Sequence, residues 1–151
     1  MLFRSEIANV AQGHLMDADL AVSALNDVLA VDAHHMGALT VLSRLYEQSG
    51  EWQQCATTLG QAIGHGEAGP ARAEAWRRLG LIQLERLDQA AEARSSLQQA
   101  LDEGQDLLAL EALLRLARES SDEGEELRLL ELQASLTPPD RKSTRLNSVT
   151  L

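Results

Sequence analysis

The chain has 151 residues and a formal net charge of −10, which is room for one domain or one short repeat array. Leu (28 residues) and Ala (22) make up a third of it, and the only aromatic residues are Phe3, Tyr46, Trp52 and Trp76. Strong helix formers with few β-branched and aromatic residues argue against an all-β fold or a buried parallel sheet. An acidic chain with little aromatic surface is also a poor match for phosphate backbones and stacked bases, so nucleic acid is not an expected partner.

Residues 1–137 carry apolar residues at three- and four-residue spacing, interrupted by short breaks, which predicts about eight short helices. The first is expected over 2–11, with a break at 13–17. A second holds Ala21, Leu25, Val28 and Leu29 and stops at 32–35. Leu39, Leu42, Leu45 and Tyr46 mark the third, closed at 49–50. Trp52, Cys55, Leu59 and Ala62 mark the fourth, closed by the glycine-rich stretch 64–70. Trp76, Leu79 and Gly80 lie in the fifth, which ends at 86–88. Ala93, Leu97, Ala100 and Leu101 lie in the sixth, which ends at 102–105. Leu107, Leu110, Leu113, Leu114 and Leu116 define the seventh, and after a break at 120–124 the last runs over 125–136.

The composition changes at Pro138-Pro139. Before it all ten basic residues are arginine; after it comes the only lysine, Lys142, in a segment of net charge +2 without helical periodicity. Residues 140–148 resemble an in-frame translation of a common sequencing adapter. Residues 138–151 are therefore read as a disordered, non-native tail, and 1–137 as the folded domain. A genomic match to the DNA beyond the Asp140 codon would reject that reading.

The fifth and sixth segments, with Trp76, Leu79 and Gly80 followed by Ala93, Leu97 and Ala100, resemble the tetratricopeptide repeat, a helix-turn-helix unit of about 34 residues. Leu39, Leu42, Tyr46, Gly50, Trp52, Cys55, Leu59 and Ala62 fall into the same pattern. Ala21, Leu25, Val28 and Leu29 fit the second helix of an earlier unit, and Leu110, Leu113, Leu116 and Leu130 a later, looser one. The spacing is uneven: Trp76 lies 37 residues after Leu39, and Leu110 lies 34 after Trp76, with the surplus assigned to 64–70. The resemblance implies an all-α, right-handed α-solenoid of about four helix-turn-helix repeats. It also implies a scaffold that binds a peptide or partner domain along a concave helical groove. The alternative is a structural or self-associating segment of a larger regulator.

Signs of catalysis and cofactors are weak. Gly64, Gly66 and Gly69 satisfy G-x-G-x-x-G, but a dinucleotide site needs a preceding strand and none is predicted. His34, His35 and His65 sit at ends of equivalent helices without the spacing of a metal site, so no metal or other cofactor is expected. The single cysteine, Cys55, excludes an internal disulfide and a cysteine-rich zinc site, and it occupies a packing position rather than a reactive one. No paired carboxylates sit in an apolar setting, so the chain is not expected to be an enzyme. No apolar run reaches membrane-spanning length, so no membrane is expected. Arg4 and Glu6 lie where a signal peptide needs an apolar core, and the expected compartment is the cytoplasm.

In tetratricopeptide repeats the first helix of each unit lines the groove. Anchored on Trp76, the resemblance places Thr40, Arg44 and Glu47 there, then Arg77, Leu81, Leu84 and Glu85, then Glu111, Arg115 and Arg118. Arg44, Arg77 and Arg115 then form a positive line suited to the carboxylates of an acidic or amphipathic partner, with Leu81 and Leu84 giving apolar contact. The competing reading is that each arginine pairs with a neighbouring glutamate and serves solubility. At the ends, Leu127, Leu129, Leu130, Leu132 and Leu136 exceed one apolar stripe, and Phe3, Ile7 and Val10 leave the first helix apolar too. Self-association through the terminal helices is therefore expected.

Overall fold

The computed structural model describes residues 18–137. They form seven helices: α1 (Ala18–Val31), α2 (Met36–Ser49), α3 (Trp52–His65), α4 (Pro70–Glu85), α5 (Ala90–Gly104), α6 (Leu107–Glu119) and α7 (Glu123–Leu136); no strand occurs among the described residues. Each helix packs on the next, and α4 also touches α6. This nearest-neighbour packing makes an all-α solenoid of helix-turn-helix units, α2–α3, α4–α5 and α6–α7. The helix expected over 2–11 and the tail 138–151 lie outside the described residues.

Local chemistry sets the ends of these helices. Asp106 caps α6, its Oδ1 accepting from the Leu108 and Ala109 N–H at 3.0 and 3.1 Å. His35 Nδ1 does the same for α2, accepting from the Ala38 N–H at 3.0 Å. Gly50 closes α2 in the left-handed region (φ 76°), which a side chain would strain. Pro70 opens α4, where a missing N–H costs nothing.

Three boundaries differ from the sequence expectation by two residues or more. Helix α7 starts at Glu123, two residues early, because Asp122 Oδ1 accepts from the Glu125 N–H at 3.1 Å and so caps it. Helix α3 continues through Gly64 to His65, so the surplus residues are absorbed largely as helix and the connection is only 66–69. Helix α5 runs on to Gly104, and Gln105 rather than a glycine takes the left-handed turn (φ 49°). Gly104 serves packing instead, since a Cβ there would lie 2.6 Å from Ala73 Cβ.

Burial follows the repeats. Ala21, Leu25 and Val28 of α1 pack on Ala38, Leu42 and Leu45 of α2. Cys55, Leu59 and Ile63 of α3 pack with Leu79 and Ile82 of α4. Leu97 and Leu101 of α5, Leu110 and Leu113 of α6 and Leu129 of α7 form the third cluster. Tyr46 touches the first two clusters and Trp76 the last two, so two aromatic rings make the core continuous. The ends of α4 and α5 are tied by Arg72, whose Nη2 and Nε meet the Glu103 carboxylate at 2.8 and 2.9 Å. Hydrogen bonds from Arg72 hold Glu103 below the usual carboxylate range, against a smaller desolvation effect. The tie is therefore complete at neutral pH and opens only as pH falls below the ordinary Glu pKa of about 4.3. The Trp76 indole N–H adds a small downward push on Glu103, but its geometry falls short of a hydrogen bond. No helix among the described residues is long and apolar enough to cross a membrane.

Candidate interaction surface

Helices α2, α4 and α6 are linked to one another by arginine–carboxylate pairs. From α4, Arg78 Nη2 lies 2.8 Å from Glu47 Oε2 of α2, and its Nη1 donates to Ser43 Oγ at 3.2 Å. Arg77 Nε reaches Asp106 Oδ2 at the start of α6 at 2.7 Å. From α6, Arg115 Nη2 reaches Glu85 Oε1 of α4 at 3.3 Å. Arg118 pairs within the next hairpin, its Nε 2.7 Å from Glu126 Oε1 of α7.

The residues expected in the groove therefore divide into two groups. Arg77, Arg115 and Arg118 are committed to carboxylates, the first two as links between units. Leu81 and Leu84 are half-buried against the α5–α7 cluster rather than displayed. Arg44 is exposed and makes no ion pair among the described residues; the same holds for Glu74 of α4 and Glu111 of α6. Sequence reasoning missed Arg78 and Ser43. A usable signal was present: Glu47 and Arg78 are 31 residues apart, Glu85 and Arg115 30, and Arg77 and Asp106 29, all near one repeat length.

Between α2 and α4, with α3 as its floor, lies a cleft of about 440 Å³. Met36, Leu59, Ala62 and Ala75 give it an apolar lining, and its walls carry charges of both signs: Arg44, Arg72 and Arg78 with Glu67 and Glu74. Met36 is 39% exposed, so part of that apolar surface is open to solvent.

The other candidates resolve differently. The rings of His34 and His65 do meet, edge-on with centroids 3.9 Å apart, but His35 Nδ1 is used as a helix cap. Among the described residues no group of three or more His, Cys, Asp or Glu is placed to hold a metal ion. Gly64 lies inside α3 and Gly66 and Gly69 follow it, Pro70 removes one N–H from the α4 start, and Arg72 Nη1 already donates to the Gly66 carbonyl at 3.1 Å. That leaves a poor phosphate cradle. Cys55 is fully buried, and its Sγ–H donates to the Ser43 carbonyl at 3.2 Å. Burial pushes its pKa up to about 11, with Arg78 opposing only in part. We expect iodoacetamide at pH 8 to leave Cys55 unmodified in the folded protein and to label it fully in urea; rapid labelling of the native state would mean the thiol is not buried.

No family model matches the chain, and no curated protein sequence does either. Its fold does match solved structures. A crystal structure of the MamA protein superposes with a TM-score of 0.71 at 20% identity, over 89% of this chain and 74% of that one. A second MamA crystal structure gives 0.66 at 22% identity, over 81% and 70%. YrrB, a TPR protein with an unusual peptide-binding site, gives 0.68 at 16% identity, over 85% of this chain and 64% of its own. The chain has a TPR-like solenoid fold. At these identities the likeness is one of fold, and the chain spans less than two thirds of YrrB.

Proposed function

We propose that this TPR-like chain is a non-catalytic scaffold, working in the cytoplasm without a cofactor, that binds a peptide or protein segment along a concave groove lined by α2, α4 and α6. The observation that carries the reading is the cleft between α2 and α4, which combines an open apolar lining with the guanidinium of Arg44, exposed and without an ion pair among the described residues. An apolar side chain fits beside Met36 and Ala75, and a neighbouring carboxylate on the ligand meets Arg44. The partner is thus an acidic, amphipathic segment. Arg77, Arg115 and Arg118, together with Leu81 and Leu84, shape the rest of the groove as paired or half-buried groups.

The test uses short acidic–apolar peptides selected by display against the full chain. Arg44→Glu should weaken the selected peptide by about tenfold to a hundredfold, the range of a charge-assisted contact, with little change in melting temperature because Arg44 has no ion pair among the described residues to lose. Affinity should also fall as salt rises. Unchanged affinity in the variant, or no salt dependence, would reject the groove. Arg77→Glu is a poorer probe, because it also breaks the link to Asp106.

A second reading, self-association through the end of the array, is favoured by α7, where Leu127 is 59% and Leu130 37% exposed while Leu129 is fully buried. The corresponding face over 2–11 lies outside the described residues.

A further inference from the structure

Helix α3 differs from every other described helix in having no Asp, Glu, Lys or Arg. Its outward face consists of Gln53, Gln54, Thr57, Gly60, Gln61 and Gly64, all exposed. The side-chain amides of the three glutamines bond to no other described residue, so their donors and acceptors are open. Toward α1 this face continues into a cleft of about 500 Å³, floored by Leu42 and Tyr46, walled by Asn26, and lined by no formally charged side chain. This surface is carried mainly by α1 and α3, and only His65 at the end of α3 lines both this cleft and the one between α2 and α4.

Charge decides what such a face can meet. The chain carries a formal net charge of −10, so two copies repel wherever acidic surface approaches acidic surface. The α3 face is where that repulsion is least. Carboxamides both donate and accept, so a Gln-rich face is complementary to itself across a two-fold axis, as an all-donor or all-acceptor face is not. A basic partner would find no acid on it, and an acidic partner no base. Gly60 and Gly64 fit the same occupant: a Cβ at either would meet nothing within 4 Å, so no internal contact requires these helix-weakening residues. A helix crossing closely over the crest of α3 would use the space they leave open.

We propose that this charge-free face docks a second copy of the chain, with α3 packed against α3 of the copy about a two-fold axis. The helix is only about 21 Å long, so the interface is small and the dimer weak.

The test is sedimentation velocity of the full chain from about 10 to about 500 µM, in low and high salt. A dimer is expected that tightens as salt rises, because salt screens the repulsion between the acidic bodies. Thr57→Glu with Gln61→Glu should raise the dissociation constant at least about tenfold by placing acid opposite acid. Gly60→Gln with Gly64→Gln should weaken the dimer through bulk alone, with far-UV circular dichroism unchanged. Leu127→Glu with Leu130→Glu should leave it intact. A monomer under all conditions, a dimer that weakens with salt, or one lost only in the Leu127/Leu130 variant would each overturn the proposal; the last would assign association to α7 instead.

Discussion

Replacing Leu97 by Ala is expected to cost about 3–4 kcal/mol, a large share of the stability of a domain this size. Leu97 is fully buried in the α5–α7 cluster and sits directly over Gly80 of α4. A Cβ at Gly80 would lie 2.7 Å from Leu97 Cγ, 2.9 Å from its Cδ2 and 3.2 Å from its backbone N. Gly80→Ala gains about 1 kcal/mol of helix propensity but overpacks by about 1–3 kcal/mol, so a net loss near 1 kcal/mol is expected. The two effects are coupled. In the double variant the shortened residue 97 frees the space that residue 80 needs, and the combined loss should fall short of the sum by about 1 kcal/mol. Urea midpoints at constant slope measure all three variants. Strict additivity would mean that Gly80 is not there to admit Leu97.

The same pair shows what could be read before the structure. Small residues at Gly80, Ala93 and Ala100 beside large ones at Leu79 and Leu97 are a packing rule written at fixed spacing, and all five are buried. Helix ends were legible where one residue dictates the backbone, as with Gly50, whereas Pro70, read as the last residue of a break, is the first residue of α4. They were misjudged where a side chain extends the helix, as Asp122 does, or where a non-glycine takes the left-handed turn, as Gln105 does. Gly104 was read as part of a break because glycine signals turns, whereas its lack of a Cβ serves the contact with Ala73. For a glycine, sequence alone does not separate those two uses.

The surface was less legible, for a different reason. Which helices carry the arginines follows from periodicity, but which carboxylate each one meets depends on angles between units. Rotation by one residue moves a side chain 100° around a helix axis, roughly the difference between Arg77, which turns to α6, and Arg78, which turns to α2. Both were within reach of the same acidic neighbours in sequence. The resulting links neutralise most of the expected positive line and leave Arg44 as its open member. Charge-free α3 was fully visible in the sequence, but only its placement on the outside gives that absence a meaning.

Asp106→Ala is the second substitution with a large expected effect, because one carboxylate does two jobs. Its Oδ1 caps α6 through the Leu108 and Ala109 N–H, while its Oδ2 holds Arg77 Nε at 2.7 Å. Losing the cap costs about 1 kcal/mol. Leaving Arg77 without its carboxylate adds about 1 kcal/mol, since both side chains are more than three-quarters buried (22% and 17% exposed) and water only partly replaces the contact. The total expected is about 2 kcal/mol. Asp106→Asn separates the two jobs: Asn caps as well as Asp, so only the charge interaction is lost, and the cost should be about half. Hydrogen exchange gives the local readout. In Asp106→Ala the amides of Leu108 and Ala109 should exchange faster, and in Asp106→Asn they should stay protected. Equal exchange in the two variants would show that the cap contributes nothing and that the carboxylate matters only as the link between α4 and α6.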